Sequence, residues 1–383
     1  MENIPHNYLN YTLSVVLGCM LAFLPVISSN FSDLDGVIPI FLTSLICSTI
    51  FIYWLCYKGF KNTKLKINIV DVCFALYICY GVLRMMVSDV IFNPVIVCEW
   101  FGLVIIYVLV RLLEYKFLRV LYVSLLLGGT IQAVIGVLQY VNLLESNHVI
   151  FKITGSFSNP GHYGGFLALS IVVGLFMWRA KQYSITKGNI FFPCILFIQI
   201  VALLLSDSRA AWLAVIVPIC LLFANNYFNR PFYRHWYIKL SFCILIIVMM
   251  ISLYYYKKAS ADVRVLTWNS SLFMIKDAPV FGHGIGSFAA NYMPCQACYL
   301  DEHVGGNEAL IADNNMLAFN EFIHVSCEQG LVGLLLFSGL LIYAFRGTDN
   351  IKHGLVARLG LITLFVFALF SYPSSIFPIK VCF

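Results

Sequence analysis

Lys257-Lys258-Ala259-Ser260-Ala261-Asp262-Val263-Arg264 opens the one long polar interval in an otherwise oily chain. It continues through Trp268 and the glycine run Phe281-Gly282-His283-Gly284-Ile285-Gly286-Ser287-Phe288, and closes at Phe319-Asn320-Glu321-Phe322. On either side lie hydrophobic stretches, Ile238–Tyr256 before it and Ile323–Phe345 after it, with very few charges. A polar, reactive-looking segment held between membrane-spanning stretches points to chemistry at a membrane surface.

Composition supports that reading. The 383 residues are 61% hydrophobic and 11% charged, with a mean hydropathy of +0.88, whereas soluble domains are about half apolar and about a quarter charged. Length alone would suggest two or three soluble domains; the composition argues for one all-α polytopic membrane domain over 1–383, with 257–322 as its long outer loop. The net charge of +6 sits in short basic clusters between apolar stretches, which is a signature of topology and excludes nucleic acid as a partner. The first apolar run, Tyr8–Ser28, has no basic leader and reads as a retained helix, without a cleavable signal. Most of the 13 cysteines fall inside apolar runs and serve there as small hydrophobes. Cys295 and Cys298 are the exception. With His303 they supply three ligands where structural zinc takes four, which leaves a disulfide or free thiols.

A spanning helix needs about 20 apolar residues. That measure predicts some eleven: Tyr8–Ser28, Val37–Tyr57, Ile67–Val87, Val95–Leu113, Leu118–Leu144, His162–Trp178, Ile190–Ser206, Ala210–Ala224, Ile238–Tyr256, Ile323–Phe345 and Leu355–Ser371. Helices are required, because lipid offers backbone polar groups no partner. Most of the 24 basic residues fall on alternate connections, in sets such as Lys58, Lys61, Lys64, Lys66 and Arg111, Lys116, Arg119. Those connections are therefore expected in the cytoplasm, with the N-terminus inside and Lys257–Phe322 on the periplasmic side of a bacterial inner membrane. An odd number of spans leaves the tail after Tyr372 outside, and a further C-terminal region is expected beyond it.

Three polar clusters could carry chemistry. Arg209, in Ser206-Asp207-Ser208-Arg209, stands between two spans, where a charge is costly unless paired or used. It either pairs with Asp207 or lipid phosphate, or works with Arg264 as an anion clamp, since guanidinium forks match phosphate oxygens. Lys257 and Lys258 could assist or snorkel to head groups. The second cluster is Gly155-Ser156-Phe157-Ser158-Asn159-Pro160-Gly161-His162, where Asn159 and His162 could meet sugar hydroxyls, or the segment is a turn before a tightly packed helix. Gly282-x-Gly284-x-Gly286 lacks the spacing of a nucleotide loop and reads as a tight turn that lets the backbone around His283 and Gly284 approach a ligand or a helix. In the third cluster, Glu321, His324 and Glu328 share a helical face behind Asn320, and Glu321 or His324 could act as a general base; a structural polar seam is the other reading. Arg84, Asp71, Glu99 and Asp207 are further charges near or in spans, expected to pair internally.

The order of these features resembles the superfamily of O-antigen ligases and polymerases, which includes O-linked protein oligosaccharyltransferases. The resemblance runs from Leu118 to Pro378 and rests on Gly155–Pro160, Ser208-Arg209-Ala210-Ala211-Trp212, Arg264 with Trp268, Pro279–Phe288, and Asn320-Glu321 leading to Glu328-Gln329-Gly330-Leu331-Val332-Gly333. It implies transfer of a glycan from a polyprenyl (undecaprenyl) diphosphate carrier to an acceptor hydroxyl on lipid A–core or protein, with no nucleotide, cofactor or metal. It implies that Arg209 and Arg264 contact the diphosphate and that the segment at Asn320 presents the base. Many members have His just before the Asn-Glu pair; here Phe319 stands there, so Glu321, His324 or His303 must take that part. A polymerase is the nearest alternative and a glycan flippase a more distant one, since a transporter would be expected to bury its polar features near midplane and to show repeated halves.

Overall fold

The computed structural model describes residues 6–27, 37–58, 67–87, 93–179, 191–228, 236–303, 306–346 and 351–382. Among these residues the regular structure is helical: α1 (His6–Ile27), α2 (Val37–Lys58), α3 (Ile69–Val87), α4 (Pro94–Leu112), α5 (Leu118–Tyr140), α6 (Pro160–Arg179), α7 (Phe191–Leu205), α8 (Arg209–Phe228), α9 (Trp236–Tyr256), α10 (Lys258–Asp277), α11 (Phe288–Glu302), α12 (Glu321–Arg346), α13 (Ile351–Ala368) and α14 (Phe377–Lys380). Seven of them, α1–α6 and α12, are long and apolar enough to cross a bilayer, and Phe191–Leu205, Arg209–Leu222, Ile247–Tyr256 and Gly354–Ala368 are shorter apolar helices. The protein is an all-α polytopic membrane protein, and a described helix lies on each expected span. The basic residues Lys61, Lys64, Lys66, Lys181, Lys187, Arg230 and Arg234, part of the orientation argument, lie outside the described residues.

α6 is the axis of the larger core. Its residues from Tyr163 to Val173 are almost all buried, and it packs against α5, α7, α8 and α13. Small residues set those distances. A Cβ on Gly165 would stand 2.5 Å from the Phe367 ring of α13, and one on Gly164 would stand 2.7 Å from Ser208 before α8. Such small faces let helices approach where lipid gives no hydrophobic incentive to pair. Three buried glutamines add directed bonds. Gln199 on α7 donates to Leu126 O and Thr130 Oγ1 of α5, both at 3.0 Å. Gln139 accepts from Thr154 N and Gly155 N and donates to Gly155 O, while Gln132 pairs with Ser156 through both ends of its amide. These bonds fix the segment that leads into α6.

Between 257 and 320 the described residues form α10, α11 and a short 3-10 turn at Asn307–Ile311. α10 packs on α11 and α12 through a small core of Met274, Phe288, Tyr292, Ala318 and Cys327. Cys295 and Cys298 lie one turn apart on α11 as free thiols. Asp71, Glu99 and Asp207 pair with charges as expected, whereas Arg84 bonds a backbone carbonyl. Arg111 grips both oxygens of Asp71 at 2.8 and 2.9 Å, Lys380 meets Glu99 at 2.7 Å, Lys257 pairs with Asp207, and Arg84 donates to Gly282 O at 2.8 Å.

α12 is broken. Gly330 has φ 64° and ψ −165°, a conformation open essentially to glycine alone. The segment Pro279–Gly284 fills the break: His283 N and Gly284 N donate to Cys327 O and Glu328 O at 3.0 and 2.8 Å, while Leu331 N and Val332 N donate to Pro279 O and Val280 O at 2.9 and 3.2 Å. Every freed group named there finds a partner, which is the condition for irregular backbone at membrane depth. The close approach needs glycine on both sides. A Cβ on Gly282 would lie 2.4 Å from Glu328 C, and one on Gly330 would lie 2.3 Å from Val280 O.

Candidate functional site

Arg209 is the first residue of α8, because the connection from α7 is only three residues long. Its Nη1 donates to Leu253 O of α9 at 2.7 Å. Asp207, held at φ 57°, spends its carboxylate on Lys257; the Asp207–Arg209 ion pair, one of the two readings, does not form, though the charge of Asp207 acts on Arg209. Arg264, two turns into α10, donates to Phe370 O at 2.9 Å and stands 5.4 Å from the centroid of the Phe319 ring. Burial first, then the charge of Arg209, lowers Arg264 to about 10, with the Tyr372 hydroxyl acting the other way. The two arginines therefore share one electrostatic neighbourhood, and among the described residues neither is in an ion pair.

Two more side chains complete this cluster. Tyr372 packs on Phe319 with ring centroids 5.6 Å apart. The first-turn residue of α6, His162, brings Nε2 to 3.2 Å from the Tyr372 hydroxyl and meets its ring edge-on at 5.4 Å. Burial pushes the Tyr372 phenol up, and Arg264 pulls it back. Tyr372 carries no signal of its own in the sequence; only its place just beyond the last span marks it.

The acid-bearing face lies behind these residues. Asn320 caps α12, its Oδ1 accepting from Phe322 N and Ile323 N at 2.9 and 3.1 Å, and its amide donates to Leu369 O. Glu321, 1% exposed, accepts from both the backbone N–H and the hydroxyl of Ser374. His324 Nε2 is 3.6 Å from Glu328 Oε1, and its buried Nδ1 has no partner. Glu328 also accepts from Phe288 N at 3.2 Å. Glu321, His324 and Glu328 line one cavity of about 630 Å³ together with Gln329 and Ser374, so the shared helical face read from the sequence is real.

Neither arginine lines that cavity, nor do Phe319 and Tyr372. Two short segments, 319–321 and 372–374, divide the region: Phe319 and Tyr372 turn toward Arg264, and Glu321 and Ser374 turn toward the cavity. Phe319 holds a left-handed φ of 52° at this divide, a costly conformation for a bulky side chain.

The remaining candidates are engaged within the protein. Asn159 Oδ1 accepts from Gly161 N at 2.7 Å and so caps α6. His283 Nε2 is 2.9 Å from Met274 O, and its backbone, like that of Gly284, is spent on the break in α12. His303 Nδ1 is 2.8 Å from Tyr299 O on its own helix.

Residues 194–338 match the family model described as O-antigen ligase. Over this stretch the chain is similar to O-antigen ligases. The match covers less than half of the chain but spans Arg209, Arg264, the glycine run, Asn320-Glu321, His324 and Glu328; α3, α4, α6, α13, α14, the end of α12 and the 372–374 segment lie outside it. No curated protein matches the chain. The family points to a bacterial membrane glycosyltransferase of the ligase or polymerase type acting on lipid-linked glycans.

Proposed function

We propose that this O-antigen ligase relative transfers a glycan from a polyprenyl diphosphate to an acceptor hydroxyl at the outer face of the inner membrane, with lipid A–core or a protein as acceptor. The observation that carries this is the pair Arg209 and Arg264, two half-buried guanidinium groups from α8 and α10 that share one neighbourhood and make no ion pair among the described residues, although the charge of Asp207 acts on Arg209. Such a pair is costly in the empty protein and is offset by an anion of matching charge. In the reaction the acceptor oxygen forms a bond to the anomeric carbon as the bond from that carbon to the diphosphate breaks. The electron pair leaves on the diphosphate, whose growing charge the arginines stabilise. The acceptor proton goes to a base.

His324 suits that role, with Nδ1 free and Glu328 placed to steady the imidazolium, and Glu321 and Asn320 hold the start of α12 in position. A second reading has one specific support: His162, paired with Tyr372, is the histidine on the same side of the divide as the arginines. The test is turnover of a synthetic polyprenyl diphosphate glycan with candidate acceptors, scored by product mass. Arg209→Ala and Arg264→Ala should each lose about 100-fold or more in kcat, and full activity in either would end the clamp proposal. His324→Ala and His162→Ala separate the two bases, the true one losing about 100-fold or more. A ladder of extended glycans in place of a single conjugate would assign polymerisation.

A further inference from the structure

The cavity on the acidic side of the divide is larger than a catalytic pair requires. Along α4 its lining runs from Ile96 to Val110, a rise of about 21 Å. That is more than half the thickness of a bilayer's hydrocarbon core of about 30 Å. The walls are apolar, with Phe74, Trp100, Leu103, Ile106, Leu340 and Leu341 facing it from α3, α4 and α12. Polar groups gather near the start of α12, while Tyr107, toward the other end of α4, gives its hydroxyl to Asp71. There His324 Nδ1 and Gln329 Oε1 are buried without partners, on side chains 8% and 4% exposed. Orphaned buried polar atoms cost about 1–3 kcal/mol each, and they sit beside the carboxyl groups of Glu321 and Glu328.

We propose that this cavity, separate from the arginine cluster, binds a membrane lipid whose hydrocarbon chain lies between α3, α4 and α12 and whose head carries hydroxyl groups and no negative charge. The chain follows from the walls and their depth. The head follows from the polar end: hydroxyls supply the partners that His324 and Gln329 lack, whereas an anionic head would face two carboxyl groups. The cation that lines the cavity, Lys380, is held by Glu99. This inference rests on the reading in which His162 is the base, because a lipid hydroxyl on His324 Nδ1 occupies the atom the other reading uses, and its test reads binding alone.

The experiment uses the full chain in phosphatidylcholine nanodiscs. A monoglucosyl diacylglycerol with a diazirine in its acyl chain is compared with phosphatidic acid bearing the same chain, and crosslinked peptides are read by mass spectrometry. The glucosyl probe should attach to α4 around Leu103 and to α12 around Leu340, about tenfold more than phosphatidic acid does. Leu103→Trp and Leu340→Trp, which fill the channel from two helices, should remove that attachment while elution volume and unfolding temperature stay unchanged. Equal labelling by the two probes, labelling confined to outward-facing positions such as Ile244 and Ile251 of α9, or full labelling in both tryptophan variants would overturn the proposal. Should either variant fail to fold, unlabelled glucosyl lipid added to the unmodified protein decides: loss of crosslinking supports the site, and no competition overturns it.

Discussion

Arg264 shows how a single residue carries both the reading and its test. It keeps its charge at neutral pH although burial and Arg209 lower it to about 10. An anion bound there raises it again, so its contribution to binding is complete below that value and is lost as the pH climbs through it. Donor binding, followed by titration at rising pH, should therefore weaken near pH 10. In Arg264→Lys the same surroundings act on a group that starts lower, and a point charge replaces the fork; the loss should begin at lower pH, which a kcat/KM profile of the two proteins would check. Arg209 and Arg264 were legible in the sequence because a guanidinium beside an apolar span is conspicuous. Tyr372, Ser374 and the aromatic contact of Phe319 were not, since each acquires its meaning from a partner far away in the chain, and the sequence offers no charge or spacing to announce it. Asn159, His283 and Gly284 stood out as polar or glycine-rich, yet caps and close backbone approach draw on the same residue types as sugar contacts.

At the scale of the element, α12 is the instructive case. Its apolar period reads as one continuous helix, because a glycine inside a span is ordinary and sequence carries no dihedral angle. The break at Gly330 becomes visible only with Pro279–Gly284 docked into it. Gly330→Ala should cost about 2–3 kcal/mol from backbone strain alone, seen as a fall in unfolding temperature, and Gly282→Ala should destabilise for the matching reason on the docked segment. A variant as stable as the parent would mean that the two segments do not interlock. The glutamines of α5 make a second case. Gln139 is 3% exposed and holds Thr154 and Gly155 through three bonds. Gln139→Leu strands those buried groups and should cost roughly 2–4 kcal/mol, again read by thermal unfolding. Polar residues in apolar helices were the available signal for this lock, and only their targets were hidden.

For the whole molecule, hydropathy was sufficient for fold class, since lipid leaves the backbone few options and length alone then locates the helices. It was less informative about 257–322, where a polar composition fits a solvated connection and a pair of packed helices equally well; the core under α10 and α11 rests on scattered residues such as Met274, Tyr292 and Cys327. Orientation is open to a direct check. Cys298 is exposed on α11, and the positive-inside pattern predicts a periplasmic place for that helix. A maleimide that cannot cross the inner membrane should label cells expressing the protein and should label the Cys298→Ser variant less. Labelling that differs only after the inner membrane is opened would reverse the topology.

The divide formed by 319–321 and 372–374 has a consequence for how such proteins diversify. Positions two apart along it, 319 and 321 and again 372 and 374, serve opposite sides, so a loss of two residues before Glu321 would set its carboxyl group in the place of Phe319, on the guanidinium side. Relatives that differ by such a slip could keep every helix in place and still exchange which chamber supplies the proton acceptor.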